Sequence, residues 1–472
     1  MDALVTTLSL QSAQPPISTA RINSHVPAAE ERSLGTSGVS ARYHALLNTP
    51  FSHPFSGAGY LIGIEKSPRA RIGAPHEGPD FERLQKPHRV PDGGLERDLD
   101  QQQRTFTAVM DDPKVMFVSH ILRYGLSAST AMSTTDLHYS AYSHTAFGPT
   151  LDSPRLNESY AHGWKALDGV EAQILTDITD AETAGRPFTH LMLLSMGWNN
   201  DQFEALERYN AIYQHSTRWA ATQGRAFNPM VIGITWPSVW GGKSPSDLAN
   251  RVLHLGSYPT KSMDADEIGF GIVNHIVNAM LPTLEAATGL RSVLIGHSMG
   301  ARVLTRAYYS ADTLRGAVAR TGAGPIVIGL QAAFSMNRFR KGAQLLPPFR
   351  WMTTGEGAPY QDHAAPGGAL ALTWAKGDTA NPVARYATGA AHVGGRVGHN
   401  MLNRRPALAE RFERMVLTSA ADLPRVVEMG QKVQGNRKVL YIDASSIIAS
   451  HGDIRNPNVG ELVWRLIDGL GG

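Results

Sequence analysis

Ser292-Val293-Leu294-Ile295-Gly296-His297-Ser298-Met299-Gly300-Ala301-Arg302-Val303-Leu304-Thr305-Arg306-Ala307-Tyr308-Tyr309 runs from a β-branched, apolar stretch through a glycine-flanked serine into a helical pattern. Its centre, Gly296 to Gly300, has the Gly-x-Ser-x-Gly spacing of a nucleophile elbow. Such a turn forces the serine into a strained backbone conformation and lifts its hydroxyl above the C-terminal edge of a sheet. Side chains two positions to either side would collide there, which accounts for both glycines. The stretch predicts a strand, a tight turn and a helix, with Ser298 as candidate nucleophile.

Working outward, apolar runs at 189–194, 230–236, 324–330, 369–374 and 437–443 read as further strands, the second stopped by Pro237. Between them lie helical stretches at 160–180, 201–222 and 264–287. The first carries Trp164, Leu167, Val170, Ile174 and Ile178 at near-helical spacing. Strands apolar throughout, alternating with helices, imply an α/β architecture: a mostly parallel central sheet with helices on both faces. Such sheets carry their sites at the C-terminal ends of the strands. Residues 1–105 differ. They hold 10 of the 28 prolines and lack sustained periodicity, so they are expected to form an irregular, largely disordered N-terminal extension, dispensable for the chemistry. Patches in that segment such as Tyr60-Leu61-Ile62-Gly63-Ile64 look able to pack on a neighbour. Residues 106–472 are expected to form the catalytic domain.

Composition narrows the function. With 42% hydrophobic and 18% charged residues among 472, the chain has ample material for a buried core. A net charge of +3, from 44 basic against 41 acidic residues, makes no electrostatic case for a nucleic-acid partner. The absence of cysteine excludes disulfides, thiolate metal sites and a cysteine nucleophile. No apolar run approaches the ~18 residues of a membrane-spanning helix, so no integral membrane segment is expected. Met1-Asp2-Ala3-Leu4-Val5 lacks the marks of a signal peptide, and a cytoplasmic location follows as an expectation. No Walker lysine motif, dinucleotide fingerprint or His-Glu-x-x-His zinc helix occurs.

A serine hydroxyl needs a base to take its proton, and a serine at such an elbow takes its partners in the chain order Ser, acid, His. His451 suits the base: it follows the last strand and precedes a final helix. His363, His392 and His399 are its rivals. The acid holds the imidazole tautomer. Asp378, after the 369–374 strand, is favoured, with Asp443 as rival. An oxyanion requires backbone N–H donors. Met299, after the serine, is one candidate. Trp198 is the other, in the loop Ser195-Met196-Gly197-Trp198-Asn199-Asn200, where Gly197 permits close backbone approach. The stretch 334–352 mixes Phe334, Met336, Phe339, Leu345, Leu346, Phe349 and Trp351 with Arg338, Arg340, Lys341 and Arg350. It reads either as a substrate wall for acyl chains with acidic heads or as an ordinary helix packing its apolar side.

On these stretches the chain resembles the α/β-hydrolase superfamily of serine esterases and lipases. More narrowly, it looks like the poorly characterised bacterial members that carry a His-Gly-Tyr-Asn-like loop and a Trp-Pro strand end. Their counterparts here are Met196-Gly197-Trp198-Asn199-Asn200 and Thr235-Trp236-Pro237-Ser238. The resemblance covers roughly residues 160 to 472. In it Met196 stands where the family's His-Gly pair has histidine. It implies an α/β-hydrolase fold and a serine hydrolase cleaving carboxylic esters through an acyl-enzyme on Ser298. It also implies a small-molecule ester or lipid substrate and no cofactor. The superfamily includes amidases, thioesterases and phospholipases, and a non-catalytic binding protein of the same fold is the alternative from another class.

Overall fold

The computed structural model describes residues 8–9, 55–66, 116–126, 133–140, 156–197, 202–236, 238, 262, 264–266, 268–311, 318–320, 322–340, 360, 367–380, 391–436 and 438–472. Its strands are β1 (Leu8–Ser9), β2 (Gly59–Lys66), β3 (Met116–Leu126), β4 (Ser133–Ser140), β5 (His190–Ser195), β6 (Pro229–Thr235), β7 (Arg291–His297), β8 (Ile326–Leu330), β9 (Ala369–Trp374), β10 (Phe412–Val416) and β11 (Val439–Asp443). They form one sheet in the order β1-β4-β3-β2-β6-β5-β7-β8-β9-β11-β10. From β2 to β10 every neighbouring pair is parallel. β3, β4 and β1 extend it antiparallel. The helices used below are α1 (Leu156–Thr183), α2 (Gln202–Thr222) and α3 (Ile272–His275), which passes through a π turn (Ile276–Met280) into α4 (Leu281–Thr288). They continue with α5 (Met299–Tyr308), α6 (Arg396–Arg404), α7 (Arg425–Asn436) and α8 (Pro457–Gly469).

β5, β6, β8 and β9 are buried at every position, as strands covered on both faces must be. Period-two alternation splits them between two cores. Leu191 and Leu193 join Leu167, Val170, Ile174 and Ile178 of α1 and Leu304 of α5 on one face. Met192 and Leu194 join Leu206 and Ile212 of α2 and Leu462 and Leu466 of α8 on the other. Each fully buried aliphatic side chain contributes about 1.5–3 kcal/mol. The architecture is therefore α/β, with a mostly parallel sheet and helices on both faces. β10 has no counterpart among the strands read from sequence. At the sheet edge it buries Phe412 and Met415 but exposes Arg414 and Val416, so it lacks a continuous apolar run. Among the described residues no helix is long and apolar enough to cross a membrane.

The expectation of an irregular segment over 1–105 does not hold for residues 55–66. β2 lies inside the sheet, parallel to β6 over Gly59–Gly63 and antiparallel to β3. Tyr60, Leu61, Ile62 and Ile64 are buried. The run is too short to show a period, and the prolines around it hide it. Tyr60 and Arg123 tie β2 and β3 to α1 through Asp177. The tyrosine hydroxyl donates to Asp177 Oδ2 at 2.7 Å, and the Arg123 guanidinium grips both carboxylate oxygens at 3.0 and 2.6 Å. Apart from Leu8–Ser9, the rest of 1–105 lies outside the described residues.

The part of 334–352 that is described packs inward. Phe334, Met336 and Phe339 are core residues, and Leu345, Leu346, Phe349 and Trp351 lie outside the described residues. Arg338 turns in to Asp266, donating to both oxygens at 2.7 Å. Arg302 of α5 donates to Oδ2 at 2.6 Å, and Arg306 approaches Oδ1 at 3.7 Å. All four side chains are fully buried. Burial alone would raise the Asp266 pKa, but the guanidiniums of Arg302 and Arg338 hold it below the usual carboxylate range. Removing one partner of a buried pair costs about 3–5 kcal/mol, so this cluster fixes α5 against the 334–340 turn.

Since β2 pairs on both sides, a chain beginning at Gln101 is expected to expose the β6 edge and lose cooperative unfolding. Circular dichroism with thermal melting of that chain checks this. A monomer melting like the full chain would show β2 to be dispensable.

Candidate active site

β7 ends at His297 and α5 begins at Met299, so the chain reverses at a single residue. Ser298 takes φ 55° and ψ −118°, one of two described non-glycine residues with positive φ. That conformation costs on the order of 1–3 kcal/mol and persists because its surroundings determine it. Ser298 N–H donates to Leu330 O, and Ala333 N–H donates to Ser298 O, both at 3.0 Å. The glycines permit the reversal by closeness of approach. A Cβ on Gly300 would stand 2.0 Å from Ser195 O, and one on Gly296 would stand 2.4 Å from Ala301 Cα. A Cβ on Gly197 would fall 2.6 Å from Ser298 Cβ, which places the loop after β5 directly against the serine.

His451, in the loop between β11 and α8, places Nε2 2.8 Å from Ser298 Oγ. Its Nδ1 lies 2.8 Å from Asp378 Oδ2, in the loop after β9. A carboxylate only accepts, so Nδ1 carries the proton and Nε2 is left to accept from the serine hydroxyl. Asp378 is fully buried, whereas the His451 side chain is 23% exposed. Asp378 Oδ1 accepts from Ala380 N–H at 3.0 Å, and Gln331 Nε2 donates to Oδ2 at 3.3 Å. Ser298, His451 and Asp378 are thus one hydrogen-bonded chain.

The rivals stand elsewhere. Asp443 accepts from Ser445 N–H and hydroxyl in a strand-end turn. His399, on α6, stacks on Trp374 with centroids 4.0 Å apart and pairs with Asn403. His392 is buried in a bridge to Ser335. His363 lies outside the described residues, as does Trp198, so one candidate donor has no described position. Met299 opens α5, where first-turn N–H groups have no intrahelical acceptor. Met196 is buried, and its carbonyl accepts from the Trp236 indole at 3.3 Å, which anchors the loop without a histidine. Among the described residues no group of three His, Asp or Glu is disposed to hold a metal ion.

Two contributors escaped the sequence reading. His297, the first variable residue of the elbow, is buried and places Nε2 2.8 Å from the His451 carbonyl, with ring centroids 4.8 Å apart. A carbonyl only accepts, so His297 carries its proton on Nε2. Burial first, then the neighbouring His451 and Arg208, push its pKa well below the ordinary histidine range and keep it neutral. Its place inside the motif was the available signal. Gln331, after β8, had none. With this geometry in hand, the chain matches no protein-family model and no curated protein sequence.

Buried neutral histidines make the fold acid-sensitive. Burial, then Arg302, Arg338 and His451, also lowers His392. At the opposite end of the sheet, burial and then Arg291 push His190 down to about 4 from 6.5. The unfolded chain takes up this proton first as pH falls, so stability is full above ~6.5 and declines down to about 4. His190 alone accounts for a loss of about 3 kcal/mol across that window. Denaturant unfolding from pH 7 to 4 should show the decline, and His190→Gln should flatten part of it. A pH-independent midpoint would contradict the assignment.

Proposed function

We propose that this chain is a serine hydrolase with an α/β-hydrolase fold that cleaves carboxylic esters through an acyl-enzyme on Ser298. The observation that carries the reading is the hydrogen-bonded chain from Ser298 Oγ through His451 to the buried Asp378. The order Ser298, Asp378, His451, at the ends of β7, β9 and β11, supports the finer fold reading.

In this reading His451 Nε2 takes the Ser298 proton as Oγ attacks the ester carbonyl. Asp378 holds the proton on Nδ1 and stabilises the imidazolium that forms. The Met299 N–H, at the positive end of α5, faces the developing oxyanion, with Trp198 N–H as the second donor. His451 then protonates the departing alcohol. Water, deprotonated by the same histidine, releases the acid and restores Ser298. Every proton moves between Ser298, His451, substrate and water, so the cycle draws on no cofactor. The substrate is a small-molecule ester or lipid. Preference for short to medium acyl chains is part of the proposal, and p-nitrophenyl esters of graded length test it. The low net charge supports no nucleic-acid partner.

Ser298→Ala should lower turnover of an activated ester by roughly 10⁶-fold and abolish labelling by a fluorophosphonate probe. An unchanged rate would end the reading in favour of a binding protein. Asp378→Asn should cost about 10⁴-fold through the wrong tautomer, whereas Asp443→Asn should leave turnover near wild type. The reverse ranking, with both variants folded, would move the acid to Asp443.

A further inference from the structure

The turn after β8 touches Ser298, Asp378 and the residue before His451. Leu330 O and Ala333 N–H hold the two backbone polar groups of Ser298. Between them Gln331 takes φ 47°, the other positive value among described non-glycine residues. Its backbone N–H donates to Thr373 Oγ1 on β9 at 2.9 Å. The fully buried side chain then spends its two Nε2 hydrogens on two different loops. One goes to Asp378 Oδ2 at 3.3 Å, the oxygen that also accepts from His451 Nδ1. The other goes to the carbonyl of Ser450, the residue before His451, also at 3.3 Å.

A left-handed non-glycine residue stores on the order of 1–3 kcal/mol of strain, and glycine at this position would carry none. Glycine would also have no carboxamide. Resting on the hydrolase reading, we infer that Gln331 is a positioning residue for the reaction. Its carboxamide clamps the acid loop to the histidine loop and fixes Asp378 Oδ2 opposite His451 Nδ1. The torsion of a carboxylate about its last bond is soft, so a carboxylate held at one oxygen only can turn. Ala380 N–H holds Oδ1, and Gln331 holds the oxygen that matters to the imidazole. Misplacement of this kind costs about 10²-fold in rate. The clamp has an electrostatic side as well. A hydrogen bond to Oδ2 disperses its charge and weakens its pull on the imidazole proton, so loss of the bond favours the imidazolium. Among the described residues, the other ionisable groups around His451 are His297 from β7, backed by Arg208, His392 from the loop before α6, and Asp453 on its own loop.

The test uses the full chain with Gln331→Met, which keeps the bulk, and Gln331→Gly, which keeps the fold open to study by removing the strain. With a p-nitrophenyl ester, both should lose about 10²-fold in kcat with little change in KM. The acid limb of kcat/KM should move to higher pH. A residue that merely filled space would leave that limb in place. Proton NMR supplies a readout independent of turnover: the low-field Nδ1–H resonance of His451, identified by its loss in His451→Gln, should shift or broaden in both variants. Folded Gln331→Met with wild-type kcat, pH profile and resonance would overturn the clamp. A wild-type chain that hydrolyses no ester, yet whose resonance responds to Gln331, would instead discard the hydrolase reading and keep the clamp.

Discussion

The arrangement at Ser298 depends on how closely the start of α5 approaches β5. Gly300 lies against the carbonyl of Ser195 with no room for a side-chain carbon, and this contact sets the angle at which the helix leaves the sheet. The reversal strains Ser298, but every residue of α5 is buried, and Val303, Leu304 and Ala307 sit in the core. Burial on that scale outweighs a local strain of about 1–3 kcal/mol. Arg302, one turn into the helix, adds a charged anchor on Asp266. The serine is thus held by a helix that has no freedom to rotate.

Parallel strands end at the same edge, so a serine, an acid and a histidine far apart in sequence reach one neighbourhood. β7, β8, β9 and β11 are consecutive in the sheet. Three inter-strand spacings place β11 about 14 Å from β7. His451 reaches Ser298 only because its loop crosses back over β9 and β8. That crossing is tied down along its length. Gly377 lies against Ala449 O, Gln331 donates to Ser450 O, and His297 holds the carbonyl of His451 itself. Three successive residues of one loop are each held by a different strand end. The imidazole therefore keeps its place on a partly exposed loop while the carboxylate behind it stays out of water.

Neutral buried histidines and a crowded buried carboxylate share one cause, the cost of charge away from water. His297 and His392 resolve it by remaining uncharged. Asp266 resolves it by gathering guanidiniums. His297 precedes Ser298 at the start of α5 and Arg302 of α5 holds Asp266, so the helix behind Ser298 adjoins groups whose protonation resists change at neutral pH.

Much of the architecture was legible before any coordinates. Apolar runs at 230–236 and 369–374 are strands because a sheet covered on both faces admits no polar side, and the amphipathic spacing of Leu167, Val170, Ile174 and Ile178 is a helix for the complementary reason. The elbow could be read because its chemistry is local: a glycine, a serine and a glycine within five residues. What spans loops could not be read that way. That β2 belongs to the sheet followed from pairing partners fifty or more residues away. Which aspartate lies beside His451 was decided by strand order, which places Asp378 next to the crossing loop and leaves Asp443 closing its own turn. Gln331 carried no signal at all, since one glutamine after a strand acquires meaning only from what two distant loops set within its reach. Sequence alone determined elements whose burial repeats along the chain; tertiary structure alone decided contacts between loop ends, where no period exists to be read.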